Sequence, residues 1–383
     1  MAQGVTITAQ AVGVVTGTTR GPERGGGRTE ARLVQPVAMA HGRWLGGRLR
    51  LRATLNLEGL TIPGGELAPG NWGEGFVDRR HPHTWAHEAM LAWVQPVGAG
   101  AVSFAAGKGF VPYGTDDPMV RPFTGYPVNH HLAQLLERAV AIAGARAGPL
   151  TLEAALFNGD EPERWQQWPR VARFGDSWSL RGTVRPAVGV ELQLSHARVA
   201  SPENRGGAGF TKAKWSASVR GDGTIAGRAA YGLLEVARTS EARAFFVHRT
   251  VLGEGALRLG AWRVAARGEW SERPEEERSL GDPFRSLRPH LGEDVLGVTR
   301  WLTGALQVMA PGLPVAGRAH WSPFVEGALS RVSLAQGVVF DPAAFYGGTT
   351  IARLSAGARL DWGGPMHRMG RYGVQDEEHG HGH

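Results

Sequence analysis

Regular alternation of apolar and polar residues predicts an all-β protein, and the length of the alternating segments predicts a transmembrane antiparallel β-barrel. The clearest example is 48–60, where Arg48, Arg50 and Arg52 alternate with leucines and one alanine. In a strand these arginines share one face, whereas a helix would spread them around its circumference. The segment also supplies the about 9–11 residues that a tilted strand needs to cross the hydrocarbon core. Arginines facing a water-filled interior are solvated, which the dry core of a soluble sandwich would not allow.

The composition fits a many-stranded protein and excludes several other classes. The 383 residues include 56 glycines and 13 tryptophans, and 42% of them are hydrophobic. The chain has no cysteine, which excludes a disulfide framework, thiolate catalysis and a cysteine-ligated zinc site. No apolar run reaches the about 18 residues of a membrane-spanning helix. The net charge of +7 is spread over alternate strand positions, so no nucleic-acid partner is expected.

About sixteen segments of strand length follow one another, joined alternately by short turns and long loops. Asp222-Gly223 is a strong two-residue hairpin signal, whereas 61–83 and 109–130 are long, proline-containing loops. With an even strand number both termini lie on the short-turn side, which is periplasmic in outer-membrane barrels, and the long loops are extracellular. The opening of 133–146 also fits a helical turn. The predicted strands cover 5–16, 31–43, 48–60, 84–96, 99–108, 133–146, 149–158, 173–185, 188–200, 209–220, 224–237, 241–252, 256–270, 295–309, 314–330 and 351–362.

No composition break marks a second domain, so 1–365 is predicted to be one barrel. The remaining 366–383 is polar and rich in histidine near its end, and we expect it to be disordered. The first residues have neither a basic nor an apolar stretch of the kind a secretory signal needs. For a barrel in the outer membrane, the signal peptide is then expected to have been removed already.

The polar faces of the clearer strands carry more cations than acids, which predicts a basic lumen. Rings of arginine and lysine in a pore attract anions and repel cations. The alternative is that these cations pair with acids of neighbouring strands and only stiffen the wall. The predicted pore-lining cations are Arg48, Arg50, Arg52, Arg181, Arg185, Lys212, Lys214, Arg220, Arg263, Arg267, Arg353 and Arg359, and the acids on the same faces are Glu58, Glu153, Glu191, Glu269 and Asp361.

Tryptophans near predicted strand ends point to an aromatic belt at the membrane interface. Trp44, Trp93, Trp270, Trp301 and Trp362 all have this position. The alternative is that they are core aromatics of a soluble sandwich.

Three short stretches within 104–160 carry a resemblance to a known family. They are 104–114, which runs Phe-Ala-Ala-Gly-Lys-Gly-Phe-Val-Pro-Tyr-Gly, then Leu-Glu-Arg-Ala at 136–139, and Leu-Phe-Asn-Gly-Asp at 156–160. This region resembles the central part of the phosphate-selective porin O/P-like family, in which a Gly–basic–Phe–x–Pro–aromatic–Gly turn precedes a Glu-Arg pair and a later Phe-Asn-Gly.

The resemblance implies a sixteen-stranded outer-membrane barrel, commonly a homotrimer, with loops folded into the pore. By position, 109–130 would be the constriction loop, with Asp116, Asp117 and Arg121. This loop lacks a dense arginine–lysine cluster, so a general anion preference rather than phosphate selectivity is expected.

A second class of function is metal handling by an outer-membrane barrel. His81, His83 and His87, with Glu88, His130, His131 and the tail histidines His379, His381 and His383, are weak candidates for copper or zinc binding. Exposed loop histidines and a compositional tail explain the same residues, so no metal or other cofactor is expected.

A barrel hydrolase is the third class, and the sequence does not favour it. Ser195 and His196 are neighbours in sequence, but consecutive strand residues face opposite sides of a sheet. No Gly-x-Ser-x-Gly motif occurs, and Gly107-Lys108-Gly109 lacks the rest of a phosphate-binding loop. We therefore do not expect an enzyme.

Together these features predict a porin that passes small hydrophilic solutes with a preference for anions. The expected partners are outer-membrane lipid, lipopolysaccharide and small anionic or polar solutes, with a homotrimer as the expected assembly.

Overall fold

A computed structural model describes residues 4–21, 25–62, 83–128, 130–162, 164–202, 206–276, 278–279, 282–286, 295–337, 340–364 and 366–376. They form a closed antiparallel barrel of 16 strands, as predicted. In chain order these are β1 (Gly4–Gly21), β2 (Gly25–Trp44), β3 (Leu49–Asn56), β4 (Ala86–Val97), β5 (Gly100–Gly109), β6 (Arg138–Ala147), β7 (Leu150–Phe157), β8 (Ser177–Ala187), β9 (Val190–Ala200), β10 (Thr211–Ile225), β11 (Arg228–Glu241), β12 (Phe246–Leu259), β13 (Trp262–Glu276), β14 (Val295–Met309), β15 (Ala319–Gln336) and β16 (Thr350–Trp362).

Each strand pairs with its sequence neighbours, and β1 pairs with β16 to close the barrel. The four-residue strand Leu313–Ala316 extends the sheet beside β15. Outside the barrel sheet, Arg278–Ser279 pairs with Asp282–Ser286. Two short helices, α1 (Glu58–Thr61) and α2 (Pro342–Tyr346), lie in connections on the long-loop side. Among the described residues, no helix is long and apolar enough to cross a membrane.

The wall has two chemically different faces because strand residues alternate in direction. On β3, Leu55 is 44% exposed on the outside, while the side chain of Thr54 is only 2% exposed on the inside. The same alternation gives β14 the exposed Leu302 and Leu306. The apolar side chains thus form an outer surface suited to lipid, and the polar side chains point inward.

Several strands are longer than predicted, which moves their turns. Asp222-Gly223 is not a turn, because β10 continues to Ile225 and the reversal falls at Ala226 and Gly227, both with positive φ (50° and 74°). The backbone N–H of Asp222 donates to Gly189 O at 2.7 Å, which keeps this stretch in the sheet.

One further turn moves in the same way, and one strand is shorter than predicted. The predicted turn at Gly253-Glu254-Gly255 is also wrong, since these residues pair with β11 in the middle of β12. Conversely, the predicted strand 48–60 is shorter, because the chain leaves the sheet after Asn56 and forms α1.

The tryptophans predicted to form an interfacial belt differ in their orientation. Trp93 and Trp362 are well exposed on the outer face. Trp301 is fully buried instead: it faces inward, donates from Nε1 to Thr299 Oγ1 at 2.9 Å and packs edge-on against Tyr346. The odd-numbered residues of β14 face inward, and Trp301 is one of them.

Candidate functional site

The connection between β5 and β6, residues 110–137, folds into the barrel instead of extending outward. Its backbone N–H groups reach side chains on distant strands: Gly114 donates to Ser195 Oγ on β9 at 2.9 Å, and Val128 donates to Glu269 Oε1 on β13 at 2.9 Å. Thr124 and Gly125 likewise donate to Glu326 on β15. Because these strands lie on different sides of the barrel, this inner loop crosses the lumen.

The three residues assigned to the constriction are all buried in the inner loop. Asp116 pairs with Arg220 on β10 at 3.2 Å, and Arg121 pairs with Glu235 on β11 at 3.1 Å. Burial raises the pKa of the Asp116 carboxyl, but the arginines around it outweigh that effect and hold the pKa below its usual range. Asp117 is different: its carboxylate accepts from Met119 N and caps a short turn.

The second internal segment is residues 366–376, which the sequence analysis expected to be disordered. The chain re-enters the barrel from the short-turn side after β16, and the residues from Met369 to Asp376 are buried. Val374 N donates to Ser103 Oγ on β5 at 3.1 Å, and Gly370 N donates to Glu88 Oε1 on β4 at 3.0 Å. The expectation of disorder is therefore wrong for 366–376, and residues 377–383 lie outside the described part of the chain.

Two arginines of this C-terminal segment join it to the wall and to the inner loop. Arg368 contacts Asp116 at 2.6 Å and Glu191 on β9 at 2.8 Å, and Arg371 contacts Glu191 at 3.0 Å. Burial lowers the pKa of the Arg371 guanidinium to about 9, while Glu191 acts in the opposite direction. Paired and hydrogen-bonded charges of this kind tolerate burial, whereas isolated ones do not.

The last described residue, Asp376, is held by basic side chains of β2 and β3. It is hydrogen-bonded to His41 Nε2 at 3.1 Å and forms a short ion pair with Arg52. Arg43 and Arg50 also donate to its backbone carbonyl, at 3.0 and 2.6 Å. Burial by itself raises the pKa of the Asp376 carboxyl, but the His41 hydrogen bond and the Arg52 charge outweigh burial and hold it below its usual range.

The predicted lumen cations mostly have carboxylate partners. Lys214 donates instead to His131 O, and Arg263 to Pro122 O at 3.1 Å. Arg48 differs from the prediction, because it lies exposed in the turn before β3. The ion pairs are Arg50 and Arg52 with Asp376, Arg181 with Glu153, Arg185 with Glu191, Lys212 with Glu241, Arg220 with Asp116 and Asp222, Arg267 with Glu254, Arg353 with Glu326, and Arg359 with Asp361.

The interior also contains many acids that the sequence reasoning did not count. Glu235 and Glu326 lie in the predicted strands 224–237 and 314–330, where the same alternation identifies them as inward-facing, whereas Glu254 lies in a stretch that was predicted to be a turn. Glu88 accepts from Thr54 Oγ1 on β3 at 2.7 Å and also from Gly370 and Tyr372 of the C-terminal segment, to which Asp376 belongs and for which the sequence carries no signal. The additional buried acids are Glu30, Glu88, Glu137, Asp160, Glu235, Glu254, Glu272, Glu275, Glu326 and Asp376.

A cavity of about 310 Å³ remains open at the short-turn end between the inner loop and β11–β16. Its charged lining is mainly arginine, with one acid. The arginines are Arg121 of the inner loop, which pairs with Glu235, together with Arg258, Arg263, Arg318 and Arg359, and the acid is Asp361. We call this cavity the vestibule.

Two of the histidines considered for metal binding each lie beside a carboxylate. His83 Nδ1 lies 3.2 Å from Glu58 Oε2, and His87 Nδ1 lies 2.7 Å from Glu137 Oε1. Within the described ranges, no group of three or more metal-ligating residues comes together. His81 and the tail histidines fall outside those ranges.

Ser195 and His196 lie on opposite faces of β9. Ser195 Oγ accepts a hydrogen bond from the inner loop, whereas the His196 ring stacks against Trp215 and Trp178. This geometry separates the hydroxyl from the imidazole.

The residues that carry the family resemblance form a buried polar cluster at the base of the inner loop. Lys108 pairs with Glu137 at 3.2 Å, and Glu137 accepts from Thr84 N at 2.9 Å. Arg138 pairs with Glu161 at 2.8 Å. These contacts anchor both ends of the inner loop to the strands that flank it.

Solved structures share this fold at low sequence identity. The anion-selective porin from Comamonas acidovorans has a TM-score of 0.50 and 11% identity, and covers 94% of this chain and 100% of its own. A trimer form of OmpT, an outer membrane protein of Vibrio cholerae, has a TM-score of 0.50, 12% identity and the same coverage. No family model and no curated protein matches the chain.

The chain thus shares the closed antiparallel barrel fold of these solved outer-membrane proteins. The narrower assignment to the phosphate-selective family is not confirmed.

Proposed function

We propose that the protein is an outer-membrane porin with a narrowed lumen that passes small hydrophilic solutes and prefers anions. An apolar outer face and a polar, ionised inner face are what a barrel needs to hold water inside a bilayer. The inner loop and the C-terminal segment narrow the path, so the conducted solutes are small. Transport rather than catalysis is the role that this arrangement favours.

The observation that carries the anion preference is the imbalance of charge in the vestibule. Most lumen cations are neutralised by a neighbouring carboxylate, so counting arginines along strands does not give the selectivity. Of the described carboxylates, none lies within ion-pair distance of Arg258, Arg263 or Arg318. Uncompensated guanidinium groups at a constriction raise the local concentration of anions and repel cations.

The neighbours also motivate a proposal for the protein's setting. We propose that the barrel lies in the outer membrane, contacts lipid and lipopolysaccharide through its exposed leucine, valine and tryptophan side chains, and assembles as a homotrimer. The OmpT comparison structure in trimer form supports the last point.

Single-channel recording in planar bilayers under a potassium chloride gradient tests this proposal. We expect discrete conductance steps. We also expect a reversal potential whose sign shows that chloride is more permeant than potassium. Replacing Arg263 with glutamate should reduce or reverse that potential, while the exposed Arg331, on the outer face of β15, provides the matched control Arg331→Glu. A potential that favours potassium in the unaltered protein would refute the anion preference.

A further inference from the structure

We propose that the vestibule is a binding site for a small organic monocarboxylate with an apolar body, such as an aromatic carboxylate. This inference rests on the proposed function, because it names the class of anion that the channel would select. It concerns equilibrium binding, which can be measured independently of current.

The cationic side of the vestibule is built from two directly opposed arginines. Arg258 on β12 and Arg263 on β13 are register partners on the inward face. Like charges in this position destabilise a sheet unless a counter-charge is present. In the described part of the chain no carboxylate pairs with either arginine, so a bound anion would supply the missing charge.

The Arg263 guanidinium is positioned but not saturated. One terminal nitrogen donates to Pro122 O at 3.1 Å and lies 3.3 Å from Gln307 Oε1, which fixes the side chain against the inner loop. Its Nε has no hydrogen-bond partner although the atom is buried. A buried guanidinium donor without an acceptor is costly, and a carboxylate is the acceptor that matches the planar fork of arginine.

The remaining wall of the vestibule is largely apolar. Met309 and Met366 line it together with alanines, and Pro122 of the inner loop closes one side. Methionine side chains adapt to aromatic rings, with which their sulfur makes favourable contacts. A hydrated inorganic anion would leave this surface without a partner, whereas the ring of an aromatic carboxylate would cover it.

The size of the vestibule agrees with this class of ligand. Its volume of about 310 Å³ lies at the lower end of small-molecule sites, which occupy about 300–1,000 Å³. Asp361, which pairs with Arg359 at 2.9 Å, adds a negative charge at the same entrance. That charge disfavours ligands with a second carboxylate, so one anionic group is the expected number.

Isothermal titration of the detergent-refolded full chain with sodium benzoate tests the proposal. Benzyl alcohol has the ring without the charge, and inorganic phosphate has charge without the ring. We expect saturable binding of benzoate at one site, and no comparable binding of either control. Equal affinity for phosphate would overturn the monocarboxylate assignment, and absence of benzoate binding would overturn the site.

Variants locate the site. Arg263→Gln should weaken benzoate binding by at least about tenfold, because a charged hydrogen bond in a buried site is lost. Arg258→Gln provides a second test, since this side chain is exposed at the rim and its removal does not disturb the packed interior. The matched control Arg331→Gln should bind like the unaltered protein. Unchanged binding in both vestibule variants would overturn the proposal.

The outcome also separates this inference from the proposed function. Chloride-selective current without saturable benzoate binding would refute only the monocarboxylate site. Potassium-selective current with intact benzoate binding would refute the anion porin and leave the site standing.

Discussion

Single ion pairs decide whether the lumen of this barrel is open or filled. Arg181 and Glu153 illustrate the principle: the two side chains, both fully inside, form two hydrogen bonds of 2.6 and 3.0 Å across β7 and β8. The terminal nitrogen Nη2 of Arg181, which donates to Glu153 Oε1, also donates to Gly370 O of the C-terminal segment at 2.9 Å. The same guanidinium thus stiffens the wall and holds the segment in place.

At Asp376 we predict that Asp376→Asn loosens the C-terminal segment. Removing one partner of a buried ion pair costs about 3–5 kcal/mol, because the other charge is left without compensation. Here Arg52 and His41 would lose their partner. We expect faster amide hydrogen exchange of 366–376 and a larger single-channel conductance.

Asp341→Asn serves as the matched control for this variant. Asp341 is exposed and caps α2 at the opposite end of the barrel. Identical exchange of 366–376 in Asp376→Asn and in the unaltered protein would contradict the assigned role of Asp376.

His367 predicts how the same segment responds to acid. Burial lowers the pKa of its imidazole to about 4, and Arg52, His41 and Arg43 add to the shift, while Asp376 opposes it. A released segment would have the ordinary histidine pKa of about 6.5. Protonation therefore favours release: docking is unaffected above about pH 6.5 and weakens as pH falls towards about 4.

The Asp376 carboxyl contributes nothing to this pH window. Its pKa is depressed, so its stabilising effect is fully present above the ordinary carboxyl value and is lost only at lower pH. Hydrogen exchange of 366–376 between pH 7 and pH 4 measures the predicted weakening, and His367→Gln should abolish it. If hydrogen exchange of 366–376 in His367→Gln has the same pH dependence as in the unaltered protein, another group causes the effect.

At the scale of elements, the C-terminal segment 366–376 fills part of the lumen next to the inner loop. It follows β16 without a regular strand or long helix of its own, and its fold depends on contacts with β2 to β9 and with the inner loop. Its backbone groups are satisfied by side chains of the wall, as at Glu88 and Ser103. The segment contributes no strand to the barrel, and we expect the barrel to fold without it.

We predict that a disulfide can trap this segment inside the lumen. The chain has no native cysteine, so Ser103→Cys with Val374→Cys introduces the only thiol pair. Val374 N lies 3.1 Å from Ser103 Oγ, which places the two residues side by side. Mild oxidation of the folded protein should form the bond in most molecules, measured by intact mass with and without reductant.

The control pair is Leu302→Cys with Val374→Cys. Leu302 is exposed on the outer face of β14, so no intramolecular bond should form. Failure of the Ser103–Val374 pair to oxidise would contradict the docked position of the segment.

The strands could be predicted from the sequence because the alternation of polar and apolar residues is visible within each strand. The segments that fill the lumen could not be predicted, because their positions depend on contacts with residues far away in the chain. The alternation from Arg50 to Asn56 identifies the inward face of β3 from that strand alone, and the same test works for β10, β13 and β16. The turn after β10 was misplaced because Asp222-Gly223 has the composition of a hairpin turn, yet neighbouring strands keep it in the sheet. Residues 366–376 have no periodicity, and their position depends on partners far away in the chain, such as Asp116 and Glu191.

At the scale of the whole molecule, the barrel combines a lipid-facing surface with an interior that is mostly neutralised. The sequence predicts an excess of basic residues in the lumen because only the strands with clear alternation were counted. The remaining strands and the internal segments supply the acids. Among the described residues, Lys214 and the vestibule arginines Arg258, Arg263 and Arg318 are inward or rim cations without an ion-paired carboxylate. Selectivity is therefore expected to depend on a few arginines near the short-turn end rather than on the net charge of +7.

The account depends on an interior that is narrowed from within by the inner loop and the C-terminal segment. The most direct test compares the single-channel conductance of the full chain with that of a chain ending at residue 364, after heat-modifiability on gels has shown that both barrels fold. A chain ending at residue 376 keeps the segment and is the matched control. We predict a several-fold larger conductance for the chain ending at 364 alone; equal conductance of all three proteins would contradict the account.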